Sequence, residues 1–137
     1  MIALLCGDKG SGKTKRLIEM ANDDTKSCKG DIVFVDADNS QVLNLKHKVR
    51  LVNAMEFNID NIDKFHGFLC GIIGNNYDIE KIYIDGLYKI IKPKEMAEEG
   101  FVKLIEFLSS KYNTSFIISV SCIEDNVPEH LKKYVIK

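Results

Sequence analysis

A glycine-rich segment close to the first residue carries the strongest chemical signal in the sequence. Residues 7–14 read GDKGSGKT and match the pattern G-x-x-x-x-G-K-[ST] at every fixed position. Glycines let a backbone curl until successive N–H groups point at phosphate oxygens. The lysine of this pattern reaches the β- and γ-phosphates, and the hydroxyl after it joins the coordination of Mg²⁺. The predicted triphosphate contacts are Gly7, Lys9, Gly10, Ser11, Gly12, Lys13, Thr14 and Lys15.

The residues on either side of this segment agree with that chemistry. The apolar run 2–6 before it predicts a buried strand, and residues 13–22 after it predict a helix. The positive end of that helix dipole would face the phosphates. The competing interpretation is a glycine-rich turn with a surface lysine. In a loop without nucleotide we expect the Lys13 side chain to be exposed, so that Lys13→Ala stays folded.

An aspartate closes another apolar run further along the chain. Residues 82–84 are Ile-Tyr-Ile, and Asp85 follows them. In triphosphate-binding domains of this kind, an aspartate at the end of a neighbouring strand holds Mg²⁺ through water. Taken alone, Asp85 would be interpreted as a turn residue before Gly86. Together with loop 7–14 it predicts a magnesium site formed by Thr14 and Asp85.

Strands and helices are predicted to alternate along almost the whole chain. Short apolar runs predict strands at 2–6, 32–35, 49–52, 81–84 and 115–120, with an edge strand at 134–136. Apolar residues at helical spacing predict helices at 13–22, at 62–73, and from Pro93 to about residue 111. We therefore predict a single α/β domain over residues 1–137, with three layers and a mostly parallel sheet of about five strands.

The order of these elements resembles the core of RecA-like P-loop ATPases, although only loop 7–14 is specific in sequence. The resemblance implies a catalytic base after the second strand, where Asp38 stands in place of the usual glutamate. Because an aspartate is one methylene shorter, slow hydrolysis is implied. Ser119 and Ser121, near the end of the fifth strand, correspond to the polar sensor of that family. Asp36 and Asp38 also fit a polar strand end without a catalytic role.

These observations predict Mg²⁺-dependent binding and slow hydrolysis of a nucleoside triphosphate, with ATP preferred on the resemblance alone. Lys13 and Asp38 are the predicted catalytic residues. The chain is also similar to small bacterial proteins labelled as twitching-motility-ATPase-like, which supports nucleotide binding and says little about a motor.

The only arginines, Arg16 and Arg50, are poorly placed to act on a γ-phosphate, so a neighbouring subunit or protein partner is expected to supply a basic residue. Two alternatives stay open, a nucleotide-dependent binding module that uses segment 87–94, and a small-molecule or nucleoside kinase.

The composition argues against several other classes of protein. Of the 137 residues, 45% are hydrophobic and 28% charged, and the net charge of −1 provides no basic field for nucleic acid. The four cysteines have no paired spacing and the three histidines no ligand spacing, which favours reduced thiols and no structural zinc site. No apolar run reaches the ~18 residues of a membrane span, and the first residues do not form a secretory signal. We therefore expect a cytoplasmic protein.

Overall fold

Strands and helices alternate along the chain, because short apolar runs are separated by segments with helical spacing. A computed structural model describes residues 1–8, 10–92, 99–121 and 127–136. The strands are β1 (Ile2–Gly7), β2 (Asp31–Asp36), β3 (Val49–Asn53), β4 (Ile79–Ile84), β5 (Ser115–Ser121) and β6 (Val135–Ile136). The helices are α1 (Lys13–Asp24), α2 (Ile62–Asn75), α3 (Leu87–Ile90) and α4 (Glu99–Tyr112), with 3₁₀ helices at Val42–Asn44, Ala54–Phe57 and Glu129–Tyr134. None of the described helices is long and apolar enough to cross a membrane.

The six strands form one sheet in the order β3-β2-β4-β5-β1-β6, and every neighbouring pair is parallel. The sequence predicts about five strands in a mostly parallel sheet, so the observed sheet is one strand wider. The additional strand is the predicted edge strand, since β6 pairs with Leu4 and Leu5 of β1. In a parallel sheet all the strands end at the same edge, which gathers the residues that follow β1, β2, β4 and β5.

Helices cover both faces of the sheet. On one face, Leu17 of α1 packs in a buried cluster with strand residues such as Tyr83. On the other face, Phe65 of α2 and Ile105 of α4 pack in a second buried cluster with strand residues such as Ile84. Tyr83 and Ile84 enter different clusters because successive strand side chains point to opposite faces. The domain therefore has an α/β architecture with helices on both sides of a parallel sheet.

The last turn of α1 is tied to the sheet. Asp24, the last residue of this helix, accepts a hydrogen bond from the Tyr83 hydroxyl and lies 3.0 Å from the Nζ of Lys81. Burial and the hydrogen bond to Asp24 both raise the pKa of Tyr83, so its hydroxyl keeps its proton. These contacts hold the last turn of α1 against the sheet. The first turn of the same helix contains Lys13 and Thr14.

Two helical segments differ from their prediction. The helix predicted from Pro93 is described from Glu99 to Tyr112, and residues 93–98 lie outside the described residues. The short helix α3, which the apolar pattern does not predict, follows Asp85. Gly86 turns the chain into α3 with a φ of 68°, in the left-handed region that favours glycine.

Candidate functional site

The ends of four parallel strands open onto a polar cavity of about 400 Å³. This volume lies within the ~300–1,000 Å³ of small-molecule sites. Loop 7–14 after β1, the segments after β2 and β4, and the end of β5 all contribute to the lining. Ligands of open α/β sheets bind at this edge, outside the carboxyl ends of the strands. The predicted site residues in the lining are Gly10, Gly12, Lys13, Thr14, Asp38 and Asp85.

Loop 7–14 turns sharply before it enters α1. Gly10 and Gly12 have φ angles of 86° and 88°, a conformation that costs other residues roughly 1 kcal/mol or more. A Cβ added to either glycine would meet no atom within 4 Å. Backbone conformation, rather than crowding, therefore requires glycine at these two positions. Because α1 begins at Lys13, the two turns deliver Lys13 and Thr14 directly to the cavity.

The Lys13 side chain folds back over the loop. Its Nζ donates to the carbonyl oxygens of Gly7 and Asp8, each at 2.8 Å. The side chain is half-buried, so the expectation of an exposed lysine in a loop without nucleotide is wrong. The loop turns two carbonyl oxygens toward the ammonium, and hydrogen bonds from a charged donor are stronger than those between neutral groups. A triphosphate would have to draw the ammonium away from these two oxygens.

Asp85 is the centre of a group of hydrogen-bonded side chains. It is buried, with only 7% of its surface exposed. Thr14 Oγ1 donates to Asp85 Oδ2 at 2.8 Å, and Ser119 Oγ donates to Asp85 Oδ1 at 2.5 Å. In the sheet, β5 lies between β1 and β4, so Ser119 stands between the other two residues. The strand order thus brings together both predicted metal ligands and one predicted sensor serine, and Ser121 lines the same cavity.

Asp36 is a second buried carboxylate at this edge of the sheet. Val35 of β2 is in register with Ile84 of β4, so Asp36 and Asp85 lie at the ends of neighbouring strands. Asp36 is 6% exposed, and its Oδ1 accepts the Ala37 N–H at 2.7 Å. Burial raises the pKa of Asp36 to about 6, against the opposing effect of the Ala37 hydrogen bond and with a further contribution from the charge of Asp85.

Asp38, the predicted base, lines the cavity from the turn after β2. Its side chain is half-buried, and its Oδ1 accepts the Ser40 N–H at 2.8 Å. Hydrogen bonds from the side chain and the backbone of Ser40 lower the pKa of Asp38, and the positive charge of Lys89 lowers it further. A carboxylate with a lowered pKa is a weaker proton acceptor. Asp36 and Asp38, two residues apart, therefore have opposite electrostatic environments.

Tyr88 and Lys89 also line the cavity. The sequence predicts only an amphipathic segment here, and the structure buries Leu87 and Ile90 while it leaves Tyr88 and Lys89 exposed. The Lys89 Nζ lies 5.7 Å from the centre of the Tyr88 ring. An Asp-Gly pair at the end of a buried strand is a turn signal. That signal indicates that the chain reverses at Gly86, which keeps the next residues beside the strand ends.

Among the described residues, three predicted site residues do not line the cavity: Gly7, Ser11 and Lys15. Gly7 and Ser11 belong to the loop itself, where the Gly7 carbonyl accepts the Lys13 hydrogen bond. Lys15 is exposed on α1, and Lys9 lies outside the described residues. No arginine lines the cavity within the described part of the chain. Among the described residues, the positively charged side chains that line the cavity are those of Lys13 and Lys89.

The oxygen atoms around Asp85 suit magnesium. Mg²⁺ takes oxygen ligands and is usually held by one or two carboxylates together with substrate phosphates and water. The Thr14 hydroxyl and the Asp85 carboxylate would hold the ion. Within residues 1–8, 10–92, 99–121 and 127–136, no group of three or more His, Cys, Asp or Glu side chains is arranged to hold a metal. A magnesium ion bound here would take phosphate oxygens and water as its other ligands.

Replacing Asp36 with asparagine is expected to stabilise the protein at about pH 8 and to change its stability little at about pH 4. Between the ordinary value of 3.8 and about 6, the folded protein holds this proton while the unfolded chain has lost it. Stability therefore falls as the pH rises through that window, and above it the buried carboxylate is ionised at a cost. An asparagine keeps the acceptor for the Ala37 N–H and removes the charge.

Thermal unfolding of the wild type and of Asp36→Asn at both pH values measures this effect. Asp63→Asn, on the exposed side of α2, is a matched control that removes a solvated carboxylate. An Asp36→Asn variant that is less stable than the wild type at the higher pH would contradict the burial argument.

Comparisons with known proteins do not identify a family for this chain. No protein-family model matches the sequence, and no curated protein matches it. The features of this chain that indicate a function are the loop, the buried carboxylates and the cavity that they line.

Proposed function

We propose that this protein binds a nucleoside triphosphate together with Mg²⁺ and hydrolyses it slowly, as a P-loop NTPase domain of the RecA-like type. The observation that carries the proposal is the 2.8 Å hydrogen bond between Thr14 Oγ1 and Asp85 Oδ2. The two residues lie 71 positions apart in the sequence, and a shared magnesium site requires them to meet. They meet beside the turn of loop 7–14, in a cavity with room for a chain of phosphates. ATP is the preferred triphosphate by resemblance.

Loop 7–14 and Lys13 would hold the phosphates. When the nucleotide enters, the Lys13 ammonium exchanges the carbonyl oxygens of Gly7 and Asp8 for oxygens of the β- and γ-phosphates. The first turn of α1 places the positive end of its dipole at the same point. Bound Mg²⁺ would supply positive charge that neutralises the phosphates. Thr14 and Asp85 would hold that ion, and Ser119 orients Asp85 from the other side.

Asp36 and Asp38 are the two candidates for orienting the attacking water. Hydrolysis forms a bond from the water oxygen to the γ-phosphorus, breaks the bond to the β–γ bridging oxygen, and moves a water proton to an acceptor. A general base works best with a pKa near the working pH. The pKa of Asp36, about 6, meets this requirement better than the lowered pKa of Asp38. Asp36 is also buried at the end of the strand next to that of Asp85, so we assign the role to Asp36 in preference to Asp38.

Slow turnover follows from the cations available in the cavity. Lys89 lines the cavity, and its positive charge acts on both Asp36 and Asp38. A lysine offers a point charge, whereas an arginine offers a planar group that binds phosphate through two hydrogen bonds. A basic residue from a second subunit or a protein partner would stabilise the transition-state charge further. Turnover is accordingly proposed to rise on assembly.

Titration of the protein with ATP and with GTP, each with and without Mg²⁺, tests this proposal when it is combined with an assay for released phosphate. We expect heat of binding with a triphosphate, tighter binding with Mg²⁺, and phosphate release per subunit that rises with protein concentration. Asp36→Asn should lower that release more than Asp38→Asn. Binding without release would favour the binding module, and transfer of phosphate to an added nucleoside would favour the kinase. Absence of binding heat with either triphosphate would contradict the proposal.

A further inference from the structure

A groove runs along one edge of the sheet and shares no described lining residue with the polar cavity. Strand β3 forms this edge, because among the described strands it is the last in the sheet and pairs only with β2. An open space of about 970 Å³ surrounds its free side. Phe68 and Ile72 of α2 form one wall, and Leu45 and Leu51 lie on the opposite face of the sheet. The groove therefore runs along the free edge of β3 and extends over both faces of the sheet there.

Apolar groups in this groove are open to solvent. Leu43 is 94% exposed and Phe57 is 59% exposed. Gly67 and Gly71 of α2 also line the groove, and a Cβ added to either would meet no atom within 4 Å. The helix wall thus has open space into which side chains of another molecule fit. Exposed apolar surface gathered in one place marks an interaction site.

The rim of the groove is basic. Lys46, Lys48 and Arg50 line it and are exposed, and none of them pairs with a carboxylate of the described residues. Asp31, the acidic residue in the described lining, already accepts a hydrogen bond from the side chain of Asn76 at 2.8 Å. The positive charge of this rim is therefore available to a negatively charged partner.

We propose that the free edge of β3 binds an extended segment of a partner protein in which acidic residues alternate with apolar ones. The segment would add one strand to the sheet through main-chain hydrogen bonds, while its side chains give specificity. Val33 is in register with Arg50, so Arg50 lies on the face of the sheet that α2 covers. Carboxylates of the segment would meet Arg50 there beside Gly67 and Gly71, with Lys48 at the rim. The alternating apolar side chains would lie on the opposite face and cover Leu45 and Leu51.

Protection of the edge against aggregation does not explain the whole groove. Charged residues on an edge strand prevent pairing with other chains, and Lys48 and Arg50 fit that role. Edge protection does not require the exposure of Leu43 or the open space beside Gly71. The other edge strand, β6, has only two residues and is protected by its shortness. Within the described residues, β3 is therefore the longer of the two edge strands, and its free edge is bordered by apolar walls and a basic rim.

A labelled octapeptide in which glutamate alternates with valine tests the proposal by fluorescence anisotropy, with the full chain and no nucleotide. This makes the outcome independent of triphosphate binding. Two control peptides carry lysine in place of glutamate, or N-methyl groups that block main-chain hydrogen bonds. The protein variants are Lys48→Glu combined with Arg50→Glu, which reverses the rim charge, and Gly71→Leu, which fills the groove. Lys103→Glu, exposed on α4, is the matched control for charge.

We expect the glutamate peptide to bind the wild type and the Lys103→Glu variant alike, and amide hydrogen exchange of β3 to slow in the complex. Charge reversal should weaken binding about 10-fold, because two exposed ion pairs are lost and replaced by repulsion. Gly71→Leu should weaken it comparably, and neither control peptide should bind. Equal binding of the N-methylated or lysine peptide would overturn the proposal, as would absence of binding. A third outcome would also overturn it: the wild type sediments as a dimer and the charge-reversed variant as a monomer. The groove would then hold a second copy of this chain.

Discussion

Replacing Lys13 with alanine is expected to weaken triphosphate binding about 100-fold, a loss of ~3 kcal/mol in binding free energy. The ammonium already occupies the turn of the loop, where it donates to two carbonyl oxygens at 2.8 Å. Phosphate oxygens carry more negative charge than these carbonyls and would attract the same group more strongly. Alanine removes the charge and both hydrogen bonds. Titration calorimetry with ATP at constant Mg²⁺ measures the loss.

The same substitution is expected to have a smaller effect on folding. Loss of the two hydrogen bonds from a half-buried lysine should lower stability by about 1 kcal/mol, which corresponds to a few degrees in Tm. Binding should therefore be compared well below the transition of the variant. Lys103→Ala, which removes an exposed lysine from α4, should leave both affinity and Tm close to those of the wild type. Wild-type affinity in Lys13→Ala would show that the loop does not hold the triphosphate.

Replacing Asp85 with asparagine is expected to abolish the effect of Mg²⁺ on triphosphate binding and to lower phosphate release by about 100-fold or more. Asp85 is the buried carboxylate that contacts Thr14, so it supplies the charge that a magnesium ion would meet there. Asparagine has nearly the same shape but no negative charge. The hydroxyls of Thr14 and Ser119 rotate and both donate and accept hydrogen bonds, so they can pair with an amide. The variant is therefore expected to fold.

Affinity for ATP measured across a range of Mg²⁺ concentrations tests this expectation. The wild type should bind more tightly as Mg²⁺ is added, and EDTA should reduce its affinity to that of Asp85→Asn. Asp63→Asn, an exposed carboxylate on α2, should respond to Mg²⁺ as the wild type does. If Asp85→Asn keeps the full response to Mg²⁺, the ion does not bind at Asp85.

The two aspartates after β2 illustrate what a strand pattern leaves undecided. Asp36 and Asp38 both follow an apolar run, and the resemblance to RecA-like ATPases favours Asp38 as the base. The structure buries Asp36 beside the end of β4 and leaves Asp38 half-buried with a hydrogen bond from Ser40. Burial and neighbouring charge, which set the pKa of a carboxylate, depend on the exact residue at which the strand ends. That residue cannot be read from hydrophobicity.

Lys13 shows the same division between local and tertiary information. Its position in the loop follows from the spacing of the glycines, and the loop and helix form where the motif predicts. Its hydrogen bonds to Gly7 and Asp8 follow from the direction in which the loop turns its carbonyl oxygens. The spacing of residue types does not specify that direction, so the sequence alone predicts an exposed side chain.

The sequence by itself determined the alternation of strands and helices, the glycine turns before α1, and the aspartate at the end of β4. Each of these depends on residues that are close together in the chain, through hydrophobic periodicity or through the conformational freedom of glycine. Only the tertiary structure decided that Thr14, Asp85 and Ser119 form one hydrogen-bonded group and that β3 has a free edge. Both follow from the order β3-β2-β4-β5-β1-β6. Strand order is set by the packing of distant elements, which no local pattern encodes.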